Sequence, residues 1–390
     1  MTVFKRIKNI FIRELHHYSR RPLFLFCMVL APIFCVLFFT SLMYDGVPTK
    51  LPAGIVDEDN TEISRTIVRT MDALEETELV KSYSSFSEAR KDMQEGKIFA
   101  FFYIPKGTTQ KAIANRQPKI SFYTNEAYMV PGSLLMKDLR IASELSGLAL
   151  TRETLYAKGC DEEQAMGIIQ PITIETHPIG NPTLNYGVYL NNILVPGIFI
   201  LLVMLSATYT IGMEWKTGNQ KKLYLMSGNS SSVALIGKLL PQTILFTLMF
   251  VFCDVYFYKI LGYPCKSGIV SMMILGFVTV LASQAFGVFL FGLFIGQMRV
   301  SMCLCSLWGI LSFSVAGFTY PVMAMSPFLQ GFAWFFPLRH YYLIYVNQAL
   351  NGYSLTYVWS SVAGMLCFIL LPFLVLPRYR SAFLKYKYQP

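Results

Sequence analysis

The residues that could do chemistry are few, and their spacing denies them most of the usual reactions. The four histidines, His16, His17, His177 and His340, each stand outside any plausible catalytic company. No H-E-x-x-H or G-x-S-x-G run occurs, so neither a zinc-protease site nor a nucleophile elbow is encoded. Gly237-Lys238 lacks the Gly-rich turn of a phosphate-binding loop, and no G-x-x-x-x-G-K-[ST] is present. The chain has no nucleotide-hydrolysis motif of its own. Cys303 and Cys305 lie two apart with no neighbouring His ligand, which argues against a metal centre. No catalytic or metal-binding residue is assigned. Asp254 is the one acid inside an apolar segment, and an intramembrane carboxylate is a functional candidate by default.

The segment from Glu214 to Met226 is more informative. Glu214, Lys216, Gly218, Gln220, Lys221 and Lys222 precede Leu223-Tyr224-Leu225-Met226. A short helix, charged and then apolar, suits docking into a groove of a soluble partner. An ordinary basic turn accounts equally well for the lysines but not for the apolar patch, so both readings stand on residues alone.

The elements that hold these groups are mostly membrane-spanning. Apolar residues make up 54% of the 390, and only 14% are charged, which places the chain among polytopic membrane proteins. A first span covers 22–44, where Leu23–Tyr44 is uncharged and long enough for a hydrocarbon core of roughly 30 Å. That run is too long for a cleaved signal peptide and is expected to stay as an anchor. Further spans are expected near 189–213, 233–258, 269–295, 301–320 and 357–376, within a five-helix region 186–377. Between the last two, 321–350 is too polar and Pro-broken for a span yet too apolar for an open loop. It reads as re-entrant half-helices, which are tolerated where protein satisfies the backbone. Residues 1–21 repeat Phe4, Ile7, Ile10, Phe11, Leu15 and Tyr18 at helical spacing among basic residues, as an interfacial helix would.

Residues 45–185 interrupt this pattern. β-like runs (51–57, LVKSY, 97–105, 119–125, and a last piece ITIETHP) alternate with helical ones, the longest near 131–158. Such an order predicts an α/β layer domain inserted between the first and second of six transmembrane helices. The net charge of +10 is unevenly spread. The insert carries 15 basic and 20 acidic residues, whereas the N-terminal flank, the 214–232 loop and the tail 378–390 are strongly basic. By the positive-inside bias the basic segments, with both termini, are cytoplasmic and the insert is outside. The excess charge is thus a topology signal, and nucleic acid is not an expected partner.

In this order the segments resemble one family, the ABC-2 type exporter permeases with a large extracytoplasmic domain after the first span. Leu51-Pro52-Ala53-Gly54-Ile55-Val56-Asp57 with Asp59 resembles the family's strand followed by D-x-D-x-S/T, and Gly96-Lys97 through Ile104-Pro105 its G-K…I-P element. Glu214, Gly218 and Leu223 match the coupling segment, with Asn219 standing where Thr is usual. Gly317-Phe318-Thr319-Tyr320-Pro321 and Pro337-Leu338-Arg339-His340-Tyr341-Tyr342 match its C-terminal signature. The resemblance implies an exporter subunit in a bacterial inner membrane that moves an amphipathic cargo, drug-like or lipid. It implies pairing with a second copy or sister permease, and with an ABC ATPase that supplies ATP and Mg. It further implies a periplasmic membrane-fusion adaptor, an outer-membrane channel and contact with membrane lipid. Glu214, Lys216, Gly218, Lys221, Lys222, Leu223 and Leu225 would couple to the ATPase. Asn191, Asn192, Asp254, Pro321, Pro337, Arg339 and Tyr341 would form the route or its outer gate. A membrane-anchored receptor or scaffold, binding a ligand or a phage through the insert, is the alternative from a different class.

Overall fold

The computed structural model describes residues 2–114, 116, 118–157, 159–170, 175 and 177–385. The chain is mostly helical and divides into two compact units. Met1–Gly46 joins His177–Pro390 in one, and Val47–Thr176 forms the other.

In the first unit, six helices are long and apolar enough to cross a bilayer: Pro22–Leu42, Gly187–Lys216, Ser231–Ile260, Ile269–Leu293, Met298–Val315 and Leu355–Lys385. They are numbered here as the first to sixth spans. An N-terminal helix, Val3–Ser19, precedes them. Pro22 opens the first span at a position where its missing N–H costs nothing. Pro196 and Pro241 sit inside the second and third spans, where a membrane helix tolerates them because neighbouring groups re-satisfy the freed carbonyls. The spans also contain wide π turns, at Phe26–Leu30, Gly187–Asn191 and Tyr256–Ile260. Glycines set the closest approaches. A Cβ on Gly287 would lie 2.9 Å from the Met204 carbonyl, and one on Gly292 would lie 2.6 Å from Val375, in the sixth span. Small residues let helices meet backbone to backbone where no hydrophobic effect drives them together.

Two segments differ in extent from the sequence reading. The sixth helix does not stop near 376; it runs on to Lys385 because Tyr379 and Phe383, one turn apart, are both fully buried. The 321–350 segment is built of a 3-10 turn (Val322–Ala324), a short helix (Pro327–Phe332), a second turn (Ala333–Phe335) and the helix Pro337–Tyr345, which widens into a π turn at Val346–Asn351.

The second unit holds a small four-stranded sheet: β1 (Leu51–Asp57), β2 (Thr77–Tyr83), β3 (Ala100–Ile104) and β4 (Ser121–Thr124), in the order β2-β1-β3-β4. β1 runs parallel to β2 and β3, and β4 is antiparallel to β3. A near-continuous apolar run such as LPAGIVD belongs in a strand covered on both faces. Ile55, Phe102 and Ile104 pack with Met71 and Ala142 of the helices Glu62–Asp72 and Met129–Ala157. On the other face Val56, Tyr83 and Phe101 pack with Ala89 of the helix Phe86–Gln94. Gly54 has no room for a side chain, since a Cβ there would lie 2.5 Å from the Tyr83 ring. Of the expected extended piece ITIETHP, residues 172–174 and 176 lie outside the described residues.

The D-x-D motif is a loop lock. Asp57 accepts from the Asp59 and Asn60 amides at 3.0 and 3.1 Å and from Ser64 Oγ at 2.7 Å. Asp59 reaches the loop after β3, accepting from Gly107 N at 2.7 Å and Thr109 N at 2.9 Å, and from the Thr109 hydroxyl at 2.5 Å. Those bonds, the Thr109 hydroxyl foremost, hold the Asp59 carboxyl below the usual carboxylate range. A depressed folded pKa contributes stability above the unfolded value of about 3.9 and loses it as pH falls through the folded value. Acidifying the full-length protein from about pH 6 to 3 is therefore expected to raise amide exchange across β1 and the loop after β3. Asp59→Asn should flatten that pH response, whereas an unchanged response would remove Asp59 from the account.

Candidate functional site

The basic end of the second span is built by its own stop signal. Thr217 is the last residue in helical conformation, and Gly218 follows with φ of 71°. Gly218 N donates to Trp215 O at 3.2 Å and Asn219 N to Glu214 O at 2.9 Å. This is the paired bonding of a Schellman motif, and it needs a residue at ease in the left-handed region. The same device recurs ten residues on: Gly228 has φ of 70°, its amide reaches Leu225 O, and Asn229 N reaches Tyr224 O at 3.0 Å. Two glycine stops thus bracket one short helix, Gln220–Met226. A Cβ at Gly228 would also strike the Arg6 guanidinium, so the N-terminal helix closes over the second stop.

Within the bracketed helix the residues divide by depth. Leu223 and Tyr224 are buried, with Tyr224 stacked on Phe383 at 5.3 Å and Phe383 in turn 5.0 Å from Trp215. Lys216, Gly218, Lys221, Lys222 and Leu225 face outward, Leu225 at 70% exposure. The helix thus holds one apolar side chain out beside two lysines, a pattern that can serve as a contact surface. Of the coupling residues expected from sequence, Glu214 and Leu223 are anchors and the others form the presented face.

Glu214 anchors through a buried charge cluster. Lys238, on the third span, donates to Glu214 Oε1 at 2.6 Å and to Glu14 Oε2 at 2.8 Å, and Arg13 donates to Glu214 Oε1 at 2.5 Å. Glu14, Glu214 and Lys238 are all at most 5% exposed. Two cations and two anions cancel formally, which is the condition for charges to be held out of water. Tyr18 adds a bond from its hydroxyl to Lys238 O at 3.3 Å. The cluster ties the N-terminal helix, the second span and the third span together at the root of the presented helix. In the sequence Lys238 stands out only as half of a Gly-Lys pair that lacks a phosphate loop, and Glu14 only as an acid within a basic flank. The missed signal was Glu14's place: Ile10, Glu14 and Tyr18 recur every four residues on the buried side of the helix.

The second group of expected residues is split. Asn191 and Asn192 are buried, with Asn191 Nδ2 donating to Tyr263 Oη at 3.0 Å and Tyr258 Oη donating to Asn192 Oδ1 at 3.0 Å. Asn192 Nδ2 and Tyr345 Oη both donate to Val188 O, each at 3.1 Å. That shared carbonyl lies in a π turn, where the widened helix frees an acceptor. Tyr341, also buried, stacks near Tyr345 at 6.4 Å and faces Phe250 at 6.5 Å. Phe250, Asp254 and Tyr258 follow one another at four-residue steps on the third span, so Asp254 belongs to this cluster. It is 4% exposed and its Oδ2 has no hydrogen-bond partner among the described residues. The other three sit elsewhere in the framework: Pro321 precedes the turn Val322–Ala324, Pro337 starts its helix, and Arg339 Nη1 donates to Ala316 O at 3.0 Å, at the end of the fifth span.

A family model described as ABC-2 family transporter protein matches residues 22–376, which takes in the first five long helices, the inserted unit and the sixth helix as far as residue 376. No curated protein matches the chain.

Proposed function

Because the chain belongs to the ABC-2 family of transporter proteins, and is thus a multi-pass membrane transport component of the kind that works with an ABC ATPase, we propose that it is the permease subunit of an ATP-driven exporter. The presented helix Gln220–Met226 carries this reading. It shows Lys221, Lys222 and Leu225 to the outside, while its root is fixed to three helices through Glu214 and Lys238. A push on the helix would reach the second and third spans without being absorbed by slack. ATP and Mg enter through the partner alone.

The basic end faces the cytoplasm of a bacterial inner membrane, with both termini inside, as the distribution of Lys and Arg supports. The inserted α/β unit then lies outside, where its acidic balance offers a face to a membrane-fusion adaptor leading to an outer-membrane channel. Two permease copies, or one with a sister chain, would face each other. Asn191, Asn192, Asp254 and Tyr341 give the polar patch on an otherwise apolar path, suited to an amphipathic cargo with a polar head.

Two measurements test the reading together. Tagged and purified from the cell that encodes it, the permease is expected to bring down an ABC ATPase subunit at equal stoichiometry. A cysteine introduced at Asn60 should react with an impermeant maleimide in intact spheroplasts. Purification without any ATPase would sink the exporter assignment, and protection of position 60 would reverse the orientation.

A further inference from the structure

Beside the charge cluster lies a cleft of ≈ 170 Å³ lined by Arg13, His17, Arg21, Met213, Glu214 and Lys222, with Thr217 and Asn219 at its edge. Three cations converge on it, from the N-terminal helix (Arg13), the start of the first span (Arg21) and the short helix (Lys222), against one carboxylate that is already held by Lys238 and Arg13. Among the described residues no acid lies within ion-pair distance of Arg21 or Lys222. Burial holds the His17 imidazole below its usual range, so at neutral pH it enters the cleft uncharged and can donate or accept. The cleft is therefore electropositive, with Met213 as the apolar member of its lining.

Its level relative to the bilayer follows from its lining. Arg21 immediately precedes the first span, and Met213 lies in the last turn of the second, so the cleft sits where apolar helix surface gives way to polar chain. The N-terminal helix beside it leaves Phe4, Ile12 and Leu15 exposed at 78%, 44% and 46%. Apolar side chains bare on one side, with basic ones between, fit a helix lying in the headgroup layer. We propose that this cleft binds the phosphate of an anionic phospholipid, its guanidinium forks taking the phosphate oxygens and its acyl chains running down past Met213 between the first and second spans. The chemistry recognised is a phosphate ester, and its source is the leaflet. The proposal rests on the membrane reading above and takes from it that this leaflet is the cytoplasmic one.

The test uses the full-length protein without its ATPase, so failure of the exporter assignment leaves the result intact. Dioleoylphosphatidylglycerol and dioleoylphosphatidylcholine are titrated into detergent-purified protein, and retained lipid is counted by native mass spectrometry. Arg21→Gln combined with Lys222→Gln is expected to weaken phosphatidylglycerol retention by about tenfold or more. Lys5→Gln with Lys8→Gln removes the same charge from exposed positions outside the cleft and should change it by less than about twofold. Equal losses in both pairs would mean a diffuse basic surface and overturn the site. Displacement of the lipid by millimolar inorganic phosphate would assign the cleft to a free anion. Unchanged lipid retention by the cleft pair would overturn the site.

Discussion

Replacing Lys238 with methionine is expected to destabilise the protein by about 3–5 kcal/mol, because it leaves two buried carboxylates to share the one Arg13 guanidinium. Glu14 loses the partner at 2.8 Å, and Glu214 keeps only Arg13. The loss has a specific cure. Adding Glu14→Gln and Glu214→Gln should recover most of it, since the three-fold variant has no uncompensated buried charge and Arg13 is partly exposed to water. Thermal unfolding in detergent, followed by fluorescence-detected gel filtration, reads both steps. A single variant as stable as the parent would mean the cluster adds nothing. A triple variant no better than the single would mean that geometry rather than charge is at stake. The triple variant also separates structure from transmission: folded but uncoupled, it would show that the charges join the presented helix to the spans rather than merely hold them.

The second large effect is expected on the outward face. Leu225→Asp with Lys221→Glu should reduce recovery of the ATPase by at least about tenfold, as truncating a central apolar anchor and reversing a flanking charge does at many interfaces. Neither side chain is buried, so stability and expression should stay at the parental level. Leu223→Asp is the contrasting control. Leu223 is 1% exposed, so its replacement should unfold the short helix and lower stability together with binding. Full ATPase recovery by the first variant would move the contact elsewhere on the permease.

What was legible in the sequence, and what was not, follows the range of the forces involved. Spans were legible because twenty apolar residues have few other places to go. The short helix was legible because its charged and apolar halves and its flanking glycines lie within fifteen residues. The bond between Glu14 and Lys238 was not, because the partners are 224 residues apart and each looks ordinary alone. The same holds for Asn192, whose partners come from the third span and from its own π turn. The extension of the sixth helix was hidden for another reason. Arg378, Arg380 and Lys385 made the segment read as a tail, while Tyr379 and Phe383 supplied a buried stripe between the charges. Strand ends in the inserted unit also moved: an expected strand over 119–125 is paired only at Ser121–Thr124, where Phe102 and Phe122 face each other across the ladder. Alternation marks a strand's middle far better than its ends.

The ring of Phe383 between Trp215 and Tyr224 also sets an order in time. The ribosome makes Tyr224 first, and at roughly 5–20 residues per second the ring that covers it arrives about 8–30 s later. Until then the presented helix lacks its backing, and the aromatic faces of Trp215 and Tyr224 lie open to the aqueous side of the membrane. The segment that would engage an ATPase is thus finished only after the sixth span has been inserted. A nascent chain therefore carries this helix without its aromatic backing until the membrane part behind it is complete.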